Sequence, residues 1–258
     1  MPPLVALDQV SYGVAGQTIL DSVSLELHRG QIVGILGLSG SGKTTLLRLV
    51  VGLLRPTSGQ VVLFGQPTND LSDAALDASR LRIGLVFQYA ALFDSLTVAE
   101  NVAFPLREHP QNGRLGKRSR QREAALRERV ASLLQMVGMS GTEHLYPAQL
   151  SGGMRKRVGM ARALALEPEV MLYDEPSSGL DPLTAAMIDD LIVELSNTLS
   201  VASLVVSHHV ANVMRIAHLV GFLHEARLAF WGTPEEARLS SVPIVQAFLR
   251  GRPEPVRA

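Results

Sequence analysis

Hydrophobic and polar positions change their period more than once along this chain. Over residues 4–30 they alternate, with Val23, Leu25 and Leu27 set against Ser24, Glu26 and His28 around turn residues at Gly13 to Gly16. A period of two predicts antiparallel strands with one face buried. From Gln31 to Gly37 the pattern becomes a short apolar run, Ile-Val-Gly-Ile-Leu, of the kind buried on both faces of a parallel sheet. A glycine-rich loop and an apolar helix reaching Val51 follow. Pro56-Thr57-Ser58-Gly59 marks a turn before a strand at Val61 to Phe64. Another buried strand is expected at Ile83 to Phe87, then a mostly helical block from about residue 95 to 150 with no strong strand signal. The parallel pattern resumes with a strand at Val170 to Tyr173, a helix from Asp181, a strand at Val201 to Val206 and a strand pair near Val220 to Trp231. Asp181-Pro182 places an N-cap before a proline at the first helical position, and Thr233-Pro234-Glu235-Glu236 forms a capping box with the same device. The expected fold is α/β: a mostly parallel sheet core, an antiparallel β subdomain and an inserted α-helical subdomain.

Composition narrows the classes. With 258 residues, 47% hydrophobic and 19% charged, the chain can bury the core of one domain with insertions. No stretch approaches the roughly 18 unbroken apolar residues of a membrane span, since even Leu46 to Leu54 is interrupted by Arg48. The first residues lack the basic and apolar regions of a secretory signal, so a cytoplasmic location is expected. Zero cysteines remove disulfides and thiolate metal sites. Lys and Arg total 24 against 24 acids, and this balance gives no reason to expect nucleic-acid binding. Locally, Arg114 to Arg129 is basic, with Glu123 and Glu128 as its acids. That segment reads as a solvated helix face, or else as a contact for acidic lipid or a partner.

Gly37-Leu38-Ser39-Gly40-Ser41-Gly42-Lys43-Thr44 fits G-x-x-x-x-G-K-[ST] between a predicted buried strand and an apolar helix. Its glycines let backbone N–H groups turn inward around phosphates, and the helix N-terminus adds its dipole. Lys43 offers a mobile ammonium and Thr44 a hydroxyl for Mg²⁺. Downstream, Val170 to Glu175 is a strand ending in two acids. Carboxylates often end buried strands only because they meet solvent. Behind a phosphate loop, Asp174 instead suits the magnesium shell and Glu175 the general base for attacking water. Leu150-Ser151-Gly152-Gly153-Met154 sets a serine N-cap before another helix, giving a second anion-seeking helix end.

These motifs, with Gln88 after a strand, Ser178-Gly179-Leu180-Asp181 and His208 after another strand, occur in the order of the ABC ATPases. The chain resembles that family over residues 4 to about 236. The resemblance implies a P-loop NTPase fold of ABC type, ATP hydrolysis with ATP and Mg²⁺, and an ATP-binding domain at 1–236. It places a helical subdomain at about 89–159 and a C-terminal helix and tail at 237–258. It further implies a head-to-tail homodimer in which each ATP lies between one subunit's phosphate loop and the other's Ser151, Gly152 and Gly153. In that pattern Tyr12 stacks on adenine, Thr45 joins the nucleotide contacts, and Gln88 senses magnesium and the membrane partner. Asp181 couples the two sites and His208 contacts the γ-phosphate. The plain alternatives are a packed strand aromatic for Tyr12 and a solvated strand end for His208, whose place directly after Ser207 favours the switch role. Leu38, Met154 and His209 depart from the commonest residues, namely proline, glutamine and aspartate. Met154 cannot donate a hydrogen bond, so the role of that glutamine does not transfer.

The segment Ala91 to His109, Met154 and the tail Gln246 to Gly251 are similar to the ATPases of Mla-type phospholipid transporters, which work with mammalian-cell-entry (MCE) domain proteins. This implies separate transmembrane permease subunits, an MCE-domain lipid-binding partner, and attachment to the cytoplasmic side of the inner (plasma) membrane through the permease. The alternative is the ATPase of an importer for a small polar solute. An ABC-type ATPase acting on nucleic acid is disfavoured by the single phosphate loop and the lack of a heptad run. A fused exporter half is disfavoured by the absent spans.

Overall fold

The computed structural model describes residues 2–109 and 120–251. Strands β1 (Val5–Val14) and β2 (Gln17–Leu27) pair antiparallel through a two-residue turn in which Ala15 and Gly16 both have positive φ. Such turns match the right-handed twist of a hairpin. Val23, Leu25 and Leu27 point into the core while Ser24 and Glu26 are exposed, as the alternation predicts. β4 (Ser58–Leu63) pairs with the other edge of β1, and the short β5 (Gln66–Pro67) completes a sheet of order β2-β1-β4-β5. β4 starts within the expected turn and ends at Leu63, because Phe64 turns the chain at φ 52°.

β3 (Ile32–Leu36) lies inside a second sheet with β6 (Ile83–Val86), β7 (Val170–Asp174), β8 (Ala202–Ser207), β9 (Leu219–His224) and β10 (Arg227–Gly232), in the order β10-β9-β3-β8-β7-β6. All pairings are parallel except β9 with β10. Every residue of β3 is buried, since Ile32 and Leu36 join one core and Val33 and Ile35 the other. The second core lies between this sheet, the antiparallel sheet and α1 (Lys43–Val50), whose Leu46, Leu47, Leu49 and Val50 are buried while Arg48 is exposed.

On the other face, α3 (Val98–Glu108) and α4 (Arg120–Met136) fall in the helical block expected at about 95–150, and α5 (Gly152–Ala163), the helix expected after Ser151, packs with them. α2 (Asp73–Arg80) precedes β6. Of the basic segment, residues 114–119 lie outside the described residues and 120–129 open α4. α3 starts with a capping box between Thr97 and Glu100. Asn101, wholly buried, ties it to the preceding loop: its Oδ1 accepts from the Phe93 N–H at 2.8 Å, and its Nδ2 donates to the Phe93 carbonyl at 3.1 Å.

α6 (Pro182–Leu199) and α7 (Val210–Ile216) follow β7 and β8. α8 (Pro234–Leu239) and α9 (Pro243–Leu249) close the chain, so the boundary expected at 236 falls within a helix. Residues 252–258 lie outside the described residues. Asp181 caps α6 by accepting from the Leu183 and Thr184 N–H groups, and Thr233 caps α8, both as expected. Among the described residues, no helix is long and apolar enough to cross a membrane.

Asp189 of α6 is 2% exposed and accepts a 2.6 Å hydrogen bond from Asn212 of α7. Burial pushes its carboxyl from the ordinary 3.8 up to about 6, against the lowering influence of Arg215, Asn212 and Ser177, with Asp190 adding to the rise. The folded chain therefore holds this proton more tightly than the unfolded one. Its stabilising contribution is complete below about pH 4 and is lost as pH rises through about 6. Asp189→Asn should remove this slope. Relative to wild type it should gain on the order of 1–3 kcal/mol between about pH 4.5 and 7.5, measured by urea unfolding at both. An unchanged pH dependence would refute the assignment.

Candidate active site

The loop after β3 and the ends of β7 and β8 meet at the carboxyl ends of the parallel strands, where open α/β sheets bind ligands. A cleft of about 950 Å³ opens there. It is lined by Ser39, Gly40, Gly42, Lys43, Thr44 and Thr45 of the loop and α1, by Gln88, Asp174 and Glu175, and by His208 and His209. Gly37 and Ser41 complete the loop. Gly42 is the N-cap of α1 at φ 102°, and a Cβ there would lie 2.9 Å from the Ile19 carbonyl. Only glycine meets both demands. The first N–H groups of α1 have no intrahelical partner and face the cleft end of the helix, a ready anion site.

Lys43 is 7% exposed. Its Nζ donates to the carbonyls of Gly37 (2.8 Å) and Leu38 (3.0 Å) and lies 3.7 Å from Glu175 Oε1. Burial pushes this ammonium below its usual value, and the nearby Glu175 charge opposes the shift. Thr44 Oγ1 donates to Asp174 Oδ2 at 3.1 Å. Burial raises the Asp174 carboxyl, the Thr44 bond opposes this, and Glu175 adds like-charge repulsion.

Glu175 is 8% exposed and follows β7 at φ 49°, a left-handed conformation costly for a side chain of its size. Its Oε2 accepts from Ser207 Oγ (3.1 Å), the His208 N–H (3.3 Å) and His208 Nδ1 (2.8 Å). Because a carboxylate only accepts, Nδ1 of His208 carries the proton and Nε2 is left to face elsewhere. His209 lies against His208 with ring centroids 4.1 Å apart and the rings tilted by 38°, and burial followed by the His208 charge pushes its pKa down.

The residues present fit ATP and Mg²⁺. Ser41 Oγ is buried in the loop with no protein partner among the described residues, an orphan that a phosphate oxygen or its water would satisfy. The Thr44 hydroxyl, the Asp174 carboxylate and the half-buried Gln88 amide offer the oxygen donors that Mg²⁺ prefers, few enough to leave positions for phosphate and water.

Ser151, Gly152, Gly153 and Asp181 do not line this cleft. Ser151 is exposed and caps α5, its hydroxyl accepting from the Met154 N–H at 3.2 Å. Tyr12 pairs with Leu20 in the antiparallel sheet and packs on its core, while Ile19 lines the cleft. Several contributors went unrecognised in the sequence. Ile244, Ala247 and Phe248 of α9 line the cleft, with Phe248 held edge-to-face on Phe222 at 5.7 Å. Asn212 also lines it, and Lys156 of α5 lies behind it. The signal for Lys156 was a lysine on the helix face occupied by Gly159 and Arg162. α9 gave no such signal.

A family profile described as ABC transporter matches residues 20–178. The intermembrane phospholipid transport system ATP-binding protein MlaF of Escherichia coli (strain K12) is 38% identical over 248 residues, covering 96% of this chain and 89% of that protein. The methionine import ATP-binding protein MetN 2 of Rhodococcus jostii (strain RHA1) is 41% identical over 266 residues, covering 99% of this chain and 75% of that protein. Among solved structures, the dimeric ATP-binding cassette MJ0796 bound to ADP and Pi superposes with a TM-score of 0.76 at 32% identity, covering 89% of this chain and 98% of that one. With a phosphate loop, paired carboxylates and a strand-end histidine meeting in one cleft, the chain belongs to the ABC transporter family, as an ATP-hydrolysing subunit that uses ATP and Mg²⁺.

Proposed function

We propose that this ATPase powers the movement of phospholipids between membranes, bound on the cytoplasmic side of the inner membrane to separate permease subunits and working with an MCE-domain lipid-binding protein. The observation that carries the reading is the likeness to MlaF over 96% of the chain. It agrees with three separated stretches, Ala91 to His109, Met154 and Gln246 to Gly251. The first is a built surface: Phe93 and Phe104 lie with ring centroids 4.7 Å apart beside the Asn101 tie. Exposing acyl chains to water costs about 0.8 kcal/mol per CH₂, so lipid transfer calls for an energised, shielded route. The likeness to MetN 2 favours a second reading, an importer of a small polar solute. Affinity purification from native membranes separates them. Co-purification of a permease, an MCE-domain protein and phospholipid supports the first; a permease with a soluble binding protein and no lipid replaces it with the second.

In this reading residues 1–236 form the ATP-binding cassette, with a helical subdomain of about 89–159 turned toward the permease and 237–258 a C-terminal addition. Lys43 pairs with the β- and γ-phosphates, and Gly37, Ser39, Gly40, Ser41, Gly42, Thr44 and Thr45 cradle them. Thr44, Asp174 and Gln88 would hold Mg²⁺, which would screen the charge that develops on the phosphates. Glu175 accepts the proton of the attacking water, and His208 contacts the γ-phosphate while its Nδ1–H fixes Glu175. Tyr12, paired with Leu20 beside Ile19, is the adenine platform at the rim. Ser151, Gly152, Gly153 and Asp181 serve the ATP of the other subunit in a head-to-tail homodimer.

A further inference from the structure

We propose that Lys156 is a positioning residue for hydrolysis, its buried ammonium tying the Gln88 carbonyl to the Glu175 carbonyl so that helix α5 sets the spacing of the two cleft side chains. Lys156 is 5% exposed, in the middle of a helix that packs on the sheet. Its Nζ donates to the Gln88 carbonyl, and to the Glu175 carbonyl at 3.2 Å. Lysine is seldom buried this deeply unless paired, and here its partners are two main-chain oxygens 87 residues apart in sequence. Burial pushes the ammonium below its usual value, and the charges of Glu175 and Asp174 offset only part of that shift.

The tie belongs to a wider clamp. Gly159, one turn on, comes so close to the chain after Gln88 that a Cβ there would meet the Ala90 Cβ at 3.3 Å. Arg162, a further turn on, donates to the carbonyls of Ala90 (2.8 Å) and Ala91 (2.7 Å). Ala90 and Ala91 both hold positive φ, 59° and 47°, which non-glycine residues adopt only where the surroundings impose it. Positions 156, 159 and 162 thus form one helix face that holds the Gln88 strap in a strained shape. Lys156 alone among the three also reaches Glu175, whose backbone is strained in the same sense. The Glu175 carbonyl has a second donor, the Ser178 N–H at 3.2 Å, so losing Lys156 frees the spacing without leaving that oxygen unpaired. Ser151 caps the start of α5, and the tie therefore links the helix expected to meet the partner's ATP to the chain's own catalytic glutamate.

The inference rests on Glu175 as general base, and the experiment keeps the two apart. Full-length wild type, Lys156→Met, Lys156→Arg and Glu175→Gln are compared in ATP affinity, single-turnover hydrolysis and backbone deuterium exchange. Lys156→Met keeps the length and removes the donors. It should lower the hydrolysis rate about 10- to 100-fold, the worth of a small misplacement of reacting groups, with ATP affinity within about threefold of wild type. Exchange should rise in the segments around 87–91 and 174–178 and stay unchanged in α1. Lys156→Arg, which retains donors, should recover the rate to within about fivefold. Wild-type turnover in Lys156→Met, or a lost rate with unchanged exchange in both segments, overturns the tie. So does loss of ATP affinity in parallel with rate, which marks a general packing role. Wild-type turnover in Glu175→Gln removes the base assignment instead, and the exchange comparison still decides whether Lys156 joins the two segments.

Discussion

Replacing Glu175 by glutamine is expected to slow ATP turnover by roughly 10² to 10⁴-fold while ATP and Mg²⁺ still bind, the usual worth of a positioned general base. The substitution is nearly isosteric, so the pocket survives it. The amide oxygen can take the place of Oε2 and accept from Ser207 Oγ, the His208 N–H and His208 Nδ1, leaving the NH₂ group where Oε1 now lies. What disappears is the acceptor for a water proton and one negative charge beside the phosphates. Lys43, now 3.7 Å from that charge, keeps its main-chain oxygens and would pair more fully with a bound phosphate. ATP affinity should accordingly hold or increase. Nucleotide binding by titration and single-turnover hydrolysis on the same preparation give both numbers. Hydrolysis at the wild-type rate would move the base elsewhere, and His208, already bonded to Glu175, would be examined next.

What the sequence could disclose depends on how far apart the cooperating residues lie. The phosphate loop was legible because eight consecutive positions, Gly37 to Thr44, carry both the conformational demand and the chemistry. β3 was legible because burial on two faces leaves no polar position in Ile32 to Leu36. Strand ends were less so: Phe64 and Phe87 are apolar and look continuous with their strands, yet Phe64 turns at φ 52° and Phe87 is 45% exposed. Contacts across the sheet were not legible at all. Nothing in Pro243 to Leu249 says that this helix lines a cleft built from residues two hundred positions earlier, since its apolar face could have served any core. Lys156 offered only its place on the helix face of Gly159 and Arg162, since its partners are carbonyls and leave no trace in side-chain type. Tyr12 shows the converse case. An aromatic in an alternating strand satisfies packing and stacking equally well, and the structure packs it on the core beside the cleft.

The same Glu175→Gln background gives the sharpest test of how two copies assemble. Adding Ser151→Arg should abolish the ATP-dependent dimer that Glu175→Gln alone is expected to form, while leaving ATP binding to the monomer intact. Ser151 lies outside its own chain's cleft and is exposed, so an arginine there cannot obstruct the phosphate loop of the same subunit. The surface around it is nonetheless built. A Cβ on Gly153 would lie 2.6 Å from Thr184, and one on Gly152 would lie 3.2 Å from Leu180, so the start of α5 rests directly on the Leu180-Asp181 turn and the first turn of α6. Leu183 beside that turn is 73% exposed. MJ0796, similar to this chain, is dimeric in its solved structure. Arginine at 151 adds bulk and charge at the proposed contact and also removes the N-cap of α5, worth about 1 kcal/mol, so Ser151→Ala serves as a control that loses the hydroxyl and its cap without adding bulk or charge. Size-exclusion chromatography with light scattering, with and without ATP, reads the assembly. Ser151→Ala should still dimerise, and a stable ATP-dependent dimer of the Ser151→Arg, Glu175→Gln chain would show that the helix end at Ser151 does not meet the partner's nucleotide.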